Sequence, residues 1–510
     1  MSSQDQLTSA SAVELRRLIG AREISPLELL EACIARIETY NPTINAVTAT
    51  CYERARQEAK AAEQAVMRGE SLGLLHGLPL GVKDLEATAG LLTTYGSPLY
   101  RNNVPSQDNV LVARLRSAGA IVVGKTNIPE MGAGANSRNA VWGATGNPFN
   151  PNLNAGGSSG GSAAALAANF LPVCTGSDTG GSLRIPAAKC GVVGFRPSPG
   201  IVPNSRKLLG WTPISVVGPM GRTVADTCLQ LAASAGVSVT DPLSYELEPA
   251  AFLSPPHVDL STLRVGWTED FGSCSVDDSI RRVFRAKIAE MRHLFQSCDE
   301  VRFELGDVHR CFDVLRAESF VASLNEAYQR DPDSLGPNTR ANYEMGARMS
   351  LADSSWAQAE QTRILQRFQQ AFQDYDVILS PTTPLSPFPW TQLYADTING
   401  EKQENYYRWL ALTYVVTLTT HPAISLPCGV DEQGMPFGLQ VTGRFRGDAV
   451  TLGVAQAMET AFAASTALRR PIPDLDAIVP AVPALRSIVT APPTLGETTL
   501  AGGISAVSAV

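Results

Sequence analysis

The amino-acid sequence predicts an α/β protein in which a central sheet is covered by helices. Short apolar runs bounded by Gly and Pro, such as "GLPLGVKD" and "GAIVVGKTNIPE", flank the helix-like segment "DNVLVARLRSAG". Strand-like segments return late in the chain, in "DVILSPTTP" and "GMPFGLQVTG". Such alternation is typical of a sheet layer with helices packed on it.

Helices are predicted at both ends of this region. Ser25 can cap a helix that begins with "PLELLEACIARIETY", and Glu28 stands at the position that completes a capping box. A second helix fits residues 53–68, where Ala, Glu, Lys and Arg predominate. Further helices are predicted over 277–297 and 356–375.

Composition and charge exclude several classes of protein. The chain has 510 residues, of which 44% are hydrophobic and 18% charged, as in a folded globular protein. The formal net charge is −8 and no Lys/Arg-dense block occurs, which argues against binding to nucleic acid or to an anionic membrane.

The cysteines and the N-terminus indicate the compartment. The nine cysteines are scattered and never form a CxxC pair, so we expect reduced, mostly buried thiols and neither a disulfide framework nor a metal site. The segment "MSSQDQLTSASAVELRRL" lacks the layout of a signal peptide, and no apolar run of about 18 residues occurs. A soluble, cytoplasmic protein is expected.

Two glycine-serine clusters, "AGGSSGGS" and "GSDTGGSLR", invite three interpretations. A phosphate-binding loop would need a lysine beside the final glycine or a G-x-G-x-x-G pattern with a distant acidic residue, and both are missing. Gly157, Ser159 and Gly161 match the G-x-S-x-G nucleophile elbow of histidine-dependent α/β-hydrolases. That interpretation is weakened because the preceding residues read as a loop and His421 has no supporting signature.

Serine chemistry without histidine is the third interpretation. A lysine that burial keeps neutral can accept the proton of a serine hydroxyl. Lys83 is the candidate, because it lies in an apolar, glycine-bounded segment that reads as a buried strand. The alternative is that Lys83 extends to solvent or pairs with a carboxylate such as Asp84.

Four ordered motifs give the chain a family likeness. "GVKD" at 81–84, "GGSSGGSAAA" at 156–165, "GSDTGGSLRIPA" at 176–187 and "GLQVTG" at 438–443 together resemble the amidase signature family of serine hydrolases. The resemblance runs from about residue 8 to 470 and implies one large domain, residues 1–470, with a mixed, twisted central sheet covered by helices on both sides.

The resemblance also implies how this domain is divided. The N-terminal helices would span about 8–70, the catalytic core about 71–230, and a variable substrate-pocket region about 249–355. Residues 471–510 are rich in Pro, Ala, Gly and Val, and we expect an extended or disordered tail.

The resemblance assigns roles to ten residues. Lys83 would be the base, Ser182 the nucleophile, and Ser158, held after a cis peptide bond, the bridge between them. The oxyanion hole would consist of the backbone N–H groups of Thr179, Gly180, Gly181 and Ser182. Supporting positions are Ser159, Asp178 and Arg184, and Gly132 would line the substrate pocket.

The implied activity is hydrolysis of an amide C–N bond through a seryl acyl-enzyme, without cofactor or metal. The substrate would be a small carboxamide, anilide, carbamate or ureido compound, and homodimers are common among similar enzymes. We expect the pocket walls to come from loops around Met131, 211–217, 406–409 and Phe320. The alternatives are the amidase subunit of a tRNA-dependent amidotransferase, which acts with partner subunits, and a non-catalytic binding protein.

Overall fold

The computed structural model describes residues 3–478 and 484–494. The α-helices are α1 (Ser3–Ser9), α2 (Ala12–Gly20), α3 (Pro26–Ile44), α4 (Tyr52–Arg68), α5 (Val110–Ser117), α6 (Gly160–Ala167), α7 (Arg184–Cys190), α8 (Val224–Ser234), α9 (Asp278–Met291), α10 (Val308–Arg330), α11 (Pro337–Ala347), α12 (Leu351–Asp374), α13 (Ala411–Thr419), α14 (Asp448–Ala463) and α15 (Leu475–Ile478).

The strands of the central sheet are β1 (Val47–Thr50), β2 (Pro79–Lys83), β3 (Ile121–Thr126), β8 (Val173–Asp178), β9 (Val193–Arg196), β10 (Val216–Gly221), β11 (Arg264–Trp267), β12 (Ser297–Glu300), β13 (Val377–Pro381), β16 (Ala423–Val430) and β17 (Pro436–Thr442). Three small hairpins pair β4 (Arg138–Asn139) with β5 (Gly143–Ala144), β6 (Gly146–Asn147) with β7 (Asn150–Asn154), and β14 (Thr397–Ile398) with β15 (Glu401–Lys402).

The central sheet is mixed. Its eleven strands lie in the order β1-β3-β2-β8-β10-β9-β16-β17-β13-β11-β12. Strand β2 runs parallel to β3 and β8, and β11 runs parallel to β12 and β13, whereas the other neighbours are antiparallel. Helices flank the sheet, so the predicted α/β class with a mixed central sheet is confirmed.

The helices predicted from local signals are present, although α9 and α12 each differ from the prediction at one end. Ser25 caps α3, and both hydrogen bonds of the capping box with Glu28 are present. The predicted helix over 53–68 corresponds to α4. The helix predicted over 277–297 ends earlier, at Met291, and the chain then turns into β12. Helix α12 begins before the predicted residue 356, because Ser350 and Asp353 form a capping box there.

Helix α6 packs directly on the sheet beside the first glycine-serine cluster. Its side chains are all buried, and it contacts β2, β3 and β8. A Cβ atom at Gly161 would collide with the backbone of Asn127. The small residues of this segment are therefore what allows the cluster to lie against the strands that carry the site.

Part of the predicted tail differs from the expectation of an extended or disordered segment. Residues 475–478 form α15, and Leu485 is buried against Ala144 and Trp390. The Ala144 N–H donates to the Leu485 carbonyl at 2.8 Å. Apolar burial and this backbone bond fix residues 484–494 on the body of the protein, whereas 479–483 and 495–510 lie outside the described residues.

The sequence also led us to expect no membrane-spanning helix and reduced, mostly buried cysteines. In the part of the chain that the structure describes, no helix has the length and apolarity needed to cross a membrane. The nine cysteines are free thiols, and all but Cys51 are buried.

A single contiguous cluster of buried apolar side chains extends along the chain from Ala12 to Ile478.

Candidate active site

The site lies where two neighbouring parallel strands end. Lys83 is the last residue of β2 and Asp178 the last of β8. These strands pair with Leu80 opposite Val173, so their carboxyl ends meet at the same edge of the sheet. The first glycine-serine cluster leads into α6 and the second into α7. The strand register thus brings three distant sequence motifs together.

The Lys83 amine is surrounded by serine hydroxyls. Its side chain is fully buried, and Nζ lies 2.8 Å from Ser158 Oγ, 2.7 Å from Ser159 Oγ and 2.9 Å from Ser177 Oγ. A hydroxyl can donate as well as accept, so this arrangement fits a charged or a neutral amine. Asp84 instead accepts hydrogen bonds from Thr94, which removes the interpretation that Lys83 pairs with its neighbour.

Burial favours the neutral form of this lysine. Loss of hydration, and secondly the positive charge of Arg206, lower the pKa of Lys83 to about 7. An amine with such a pKa is neutral in a large fraction of molecules near pH 7. Lys83 therefore has the protonation behaviour that a general base requires.

Ser158 is held between the lysine and a cleft. The Gly157–Ser158 peptide bond is cis, and Ser158 is nearly buried. The next residues are tied down, since the Gly160 N–H donates to Ser137 Oγ at 3.0 Å and the Gly161 N–H to Asn127 O at 3.0 Å. Gly132 faces Ser158, because a Cβ atom there would lie 3.4 Å from Ser158 Oγ.

The turn before α7 presents backbone donors. Among the described residues, the N–H groups of Thr179, Gly180 and Ser182 have no hydrogen-bond acceptor. The Gly181 N–H differs from the expectation of an oxyanion-hole donor, because it donates to Asp178 Oδ1 at 2.9 Å. Gly181 has a φ of +117°, and a Cβ atom there would collide with Thr413. Its role in this geometry is to let the turn form.

A buried ion-pair cluster fixes this turn from below. Asp178 accepts two bonds from Arg184, at 2.9 and 3.0 Å, and one from Arg196 at 3.1 Å. Burial alone would raise the pKa of Asp178, but the two guanidinium groups outweigh it and hold that pKa well below its usual range. Arg184 also donates to Gln440 Oε1 at 2.6 Å, which brings in the fourth motif, "GLQVTG".

Ser182 and Ser158 open into one cleft of about 400 Å³. The cleft is also lined by Gly132, Met131 and Phe320, as the sequence predicted for the pocket wall. The loop over 211–217 contributes Thr212 and Ser215, while Trp211 is exposed. The expected aromatics of 406–409 are buried behind this wall rather than lining it.

Helix α10 carries the predicted Phe320 and also Phe312, a residue of the site that the sequence did not predict. Phe312 lies against the turn of Ser182, since a Cβ atom at Gly180 would be 3.2 Å from Phe312 Cζ. The available signal was Asp307, which caps the helix, followed by buried apolar residues at helical spacing. Those residues are Val308, Cys311, Phe312 and Leu315.

Ser177 is a second residue that the sequence reasoning missed. It follows Thr175 by two positions on β8, so both side chains lie on the same face of the strand. The Thr175 hydroxyl accepts a hydrogen bond from the backbone N–H of Lys83 at 2.8 Å, and the Ser177 hydroxyl accepts one from Lys83 Nζ at 2.9 Å. The alternation of hydroxyl residues in "CTGSD" was the signal that could have found it.

The histidine-dependent alternative has no support in this geometry. His421 Nδ1 lies 3.0 Å from Thr419 O, and its ring packs against Phe368 and Phe372. None of these residues lines the cleft of Ser182. Within residues 3–478 and 484–494, no group of three or more His, Cys, Asp or Glu side chains could hold a metal ion.

Several known proteins resemble this chain along most of its length. A family model described as Amidase matches residues 28–452. A glutamyl-tRNA(Gln) amidotransferase subunit of Acaryochloris marina is 34% identical over 476 residues, covering 88% of this chain and 97% of the relative. An acylamidase of Rhodococcus erythropolis is 33% identical over 455 residues, covering 88% and 94%.

Among solved structures, a bacterial aryl acylamidase of the amidase signature family superimposes with a TM-score of 0.82 at 28% identity. The match covers 89% of this chain and 96% of the acylamidase. The family model spans well over half of the chain, and the relatives are matched along nearly their full lengths. The chain belongs to the Amidase family.

Proposed function

We propose that this protein hydrolyses the C–N bond of an amide through an acyl-enzyme on Ser182. The observation that carries the proposal is the buried amine of Lys83, bonded to Ser158 in a cleft that Ser182 also lines. A serine hydroxyl is a weak nucleophile until a base removes its proton. Lys83 and Ser158 supply such a base and a path to it.

The proposed reaction begins with two proton transfers. Neutral Lys83 accepts the proton of Ser158 as Ser158 accepts that of Ser182, whose Oγ bonds to the amide carbonyl carbon. The resulting oxyanion accepts hydrogen bonds from the free N–H groups of Thr179, Gly180 and Ser182. Loss of one such donor typically costs about 2.7–4 kcal/mol of barrier.

The second half returns the protons. Lys83 passes its proton back through Ser158 to the amide nitrogen, the C–N bond breaks, and the amine departs. Water then attacks the Ser182 ester, gives a proton to the same relay, and the carboxylic acid leaves as Ser182 recovers its hydrogen. No external oxidant, reductant or cofactor enters this balance.

Small carboxamides, anilides, carbamates and ureido compounds are the candidate substrates. The likeness to an acylamidase and to a bacterial aryl acylamidase favours anilides as the first class to test. The cleft of about 400 Å³ suits a small molecule. Release of an arylamine gives a direct optical measurement of C–N cleavage.

The first test is Ser182→Ala. We expect amide hydrolysis to fall by a factor of about 10³ or more, as when other serine nucleophiles are removed. The circular dichroism spectrum and the unfolding midpoint should stay close to those of the wild type. Ser487→Ala, an exposed serine in the C-terminal segment, is the matched control. Near-normal turnover by Ser182→Ala would remove the assignment.

The second candidate function is that of the amidase subunit of an amidotransferase. The observation that favours it is the 34% identity to the amidotransferase subunit of Acaryochloris marina. The two functions differ in what the isolated chain can do. We expect the pure protein to hydrolyse an anilide without ATP, tRNA or added subunits, measured as arylamine release. Strict dependence on partner subunits would favour the amidotransferase instead.

A further inference from the structure

The cleft carries positive charge on a protein that is negative overall. Arg206, Lys207 and Arg316 line it, and none of its lining residues within the described chain is Asp or Glu. The whole chain has a formal net charge of −8. A concave surface lined by one sign of charge concentrates ligands of the opposite sign.

Two of these cations have acidic neighbours. Arg206 Nε lies 3.8 Å from Glu86 Oε1, and Lys207 Nζ lies 3.7 Å from Asp241 Oδ1. Arg316 differs, because no carboxylate oxygen of the described residues lies within 4.0 Å of its guanidinium nitrogens. Arg316 is therefore the one of these three cations without a carboxylate at ion-pair distance, since Asp313, one turn earlier on α10, pairs with Arg408 at 2.8 Å instead.

Arg316 is also short of hydrogen-bond acceptors. The residue is only 6% exposed, and Nη2 donates to Tyr406 Oη at 2.7 Å. The other four N–H groups have no acceptor among the residues described; Nε is buried, whereas Nη1 remains accessible on a residue that lines the cleft. The rings of Phe320 and Tyr407 lie 4.9 and 5.1 Å from the guanidinium carbon. These rings stabilise the charge but offer no acceptor to the in-plane N–H groups, so those that face the cleft can donate to a ligand.

Helix α10 places Arg316 in the wall of the cleft that Ser182 also lines. Phe312 contacts the turn at Gly180, and Arg316 follows it by one turn, about 6 Å farther along α10. Ser319 and Phe320 continue the same cleft-facing side of the helix. Ser182 and Arg316 thus line the same cleft, and one ligand can contact both.

We propose that the amide substrate carries a carboxylate, which Arg316 binds. This inference rests on the proposed amide hydrolysis. A largely buried cation without an ion-pair partner is costly, and a substrate carboxylate would pair with the charge and accept from the N–H groups that face the cleft. The planar guanidinium matches a carboxylate geometrically, and the carboxylate belongs to either the acyl or the amine part of the substrate.

The test compares two matched pairs of substrates. Glutaryl p-nitroanilide and 5-methylhexanoyl p-nitroanilide differ only in a carboxylate against an isopropyl group on the acyl side. N-Hexanoyl-4-aminobenzoate and N-hexanoyl-4-isopropylaniline make the same comparison on the amine side. We expect the wild type to favour the anionic member of one pair by about tenfold or more in kcat/KM, the size of a hydrogen-bonded charge contact. The pair that shows the preference identifies the side.

Substitutions then assign the preference to Arg316. Arg316→Gln should reduce the anionic-to-neutral ratio about tenfold, and Arg316→Lys should retain part of it. Arg310→Gln is the matched control, since Arg310 lies on the same helix, over Trp356 and paired with Asp353, but does not line the cleft. Its ratio should equal that of the wild type.

The results distinguish failure of carboxylate binding by Arg316 from failure of the proposed amide hydrolysis. Cleavage of the neutral amides at the same or a higher kcat/KM than the anionic ones would overturn the inference and leave amide hydrolysis standing. An anionic preference that survives Arg316→Gln would also overturn it. Failure to cleave any of the four amides would contradict the proposed function itself. The wild-type ratio needs no substitution, so a misfolded variant does not prevent the test.

Discussion

Lys83 determines the pH range in which the proposed reaction can run. The base must be neutral, and burial lowers the pKa of Lys83 to about 7. Below that pH the amine is protonated and cannot accept the serine proton. We therefore expect kcat/KM for a neutral anilide to fall as the pH is lowered through about 7 and to be level above it. A rate that stays constant down to pH 5 would contradict this.

Arg206 is expected to influence the pH at which Lys83 loses its proton. Its positive charge is the second cause, after burial, of the lowered pKa of Lys83. Arg206→Gln should raise that pKa, because the protonated amine loses a repulsive neighbour. The acid limb of the kcat/KM profile should then move to higher pH, while Arg310→Gln leaves it in place. An acid limb that does not move would mean that another group titrates there.

The roles of single residues were predictable from the sequence only as far as the motifs reach. Lys83 was predicted as a site residue because lysines are rarely buried and this one lies in an apolar segment. The family resemblance then identified Ser158 and Ser182 as the residues that act with it. Ser177 was missed, since its contact with Lys83 depends on the register of β2 against β8 across 94 positions. Arg316 was missed for a similar reason, because nothing local reveals that it lacks a partner.

At the scale of elements, the turn between β8 and α7 depends on the ion pair beneath it. Asp178 and Arg184 are both fully buried. Arg184→Met would leave Asp178 with less compensation in an apolar environment. We expect a loss of about 3–5 kcal/mol in the free energy of unfolding, measured by urea denaturation.

An exposed ion pair provides the control for that measurement. Arg282 Nη2 lies 2.9 Å from Glu432 Oε2, but the two side chains are 60% and 48% exposed. Arg282→Gln should leave the free energy of unfolding close to that of the wild type, because water screens an exposed pair. Equal losses for the two variants would show that the buried pair does not stabilise the turn.

Elements with local signals were predicted, and those without them were not. The capping box predicted helix α3, and short apolar runs between glycines predicted strands β2 and β3. The boundary of α9 was wrong because the end of that helix is set by pairing of β12 with β11. Strand pairing is a long-range interaction that no local pattern specifies.

For the whole molecule, the sequence predicted the fold class and the family, but not the strand order. We propose that residues 1–470 form one domain, supported by the contiguous apolar core from Ala12 to Ile478. The described part of the C-terminal segment packs against this body through Leu485. Low periodicity in a Pro- and Ala-rich sequence therefore did not prevent burial there.

The proposed mechanism requires that Ser182 carry the acyl group, with Lys83 as its base. The most direct measurement is reaction of the native protein with a fluorophosphonate, followed by mass spectrometry of its peptides. We expect one adduct, on Ser182, with loss of amide hydrolysis in proportion to labelling and much slower labelling of Lys83→Ala. An adduct on another serine, or full labelling with hydrolysis intact, would contradict the claim.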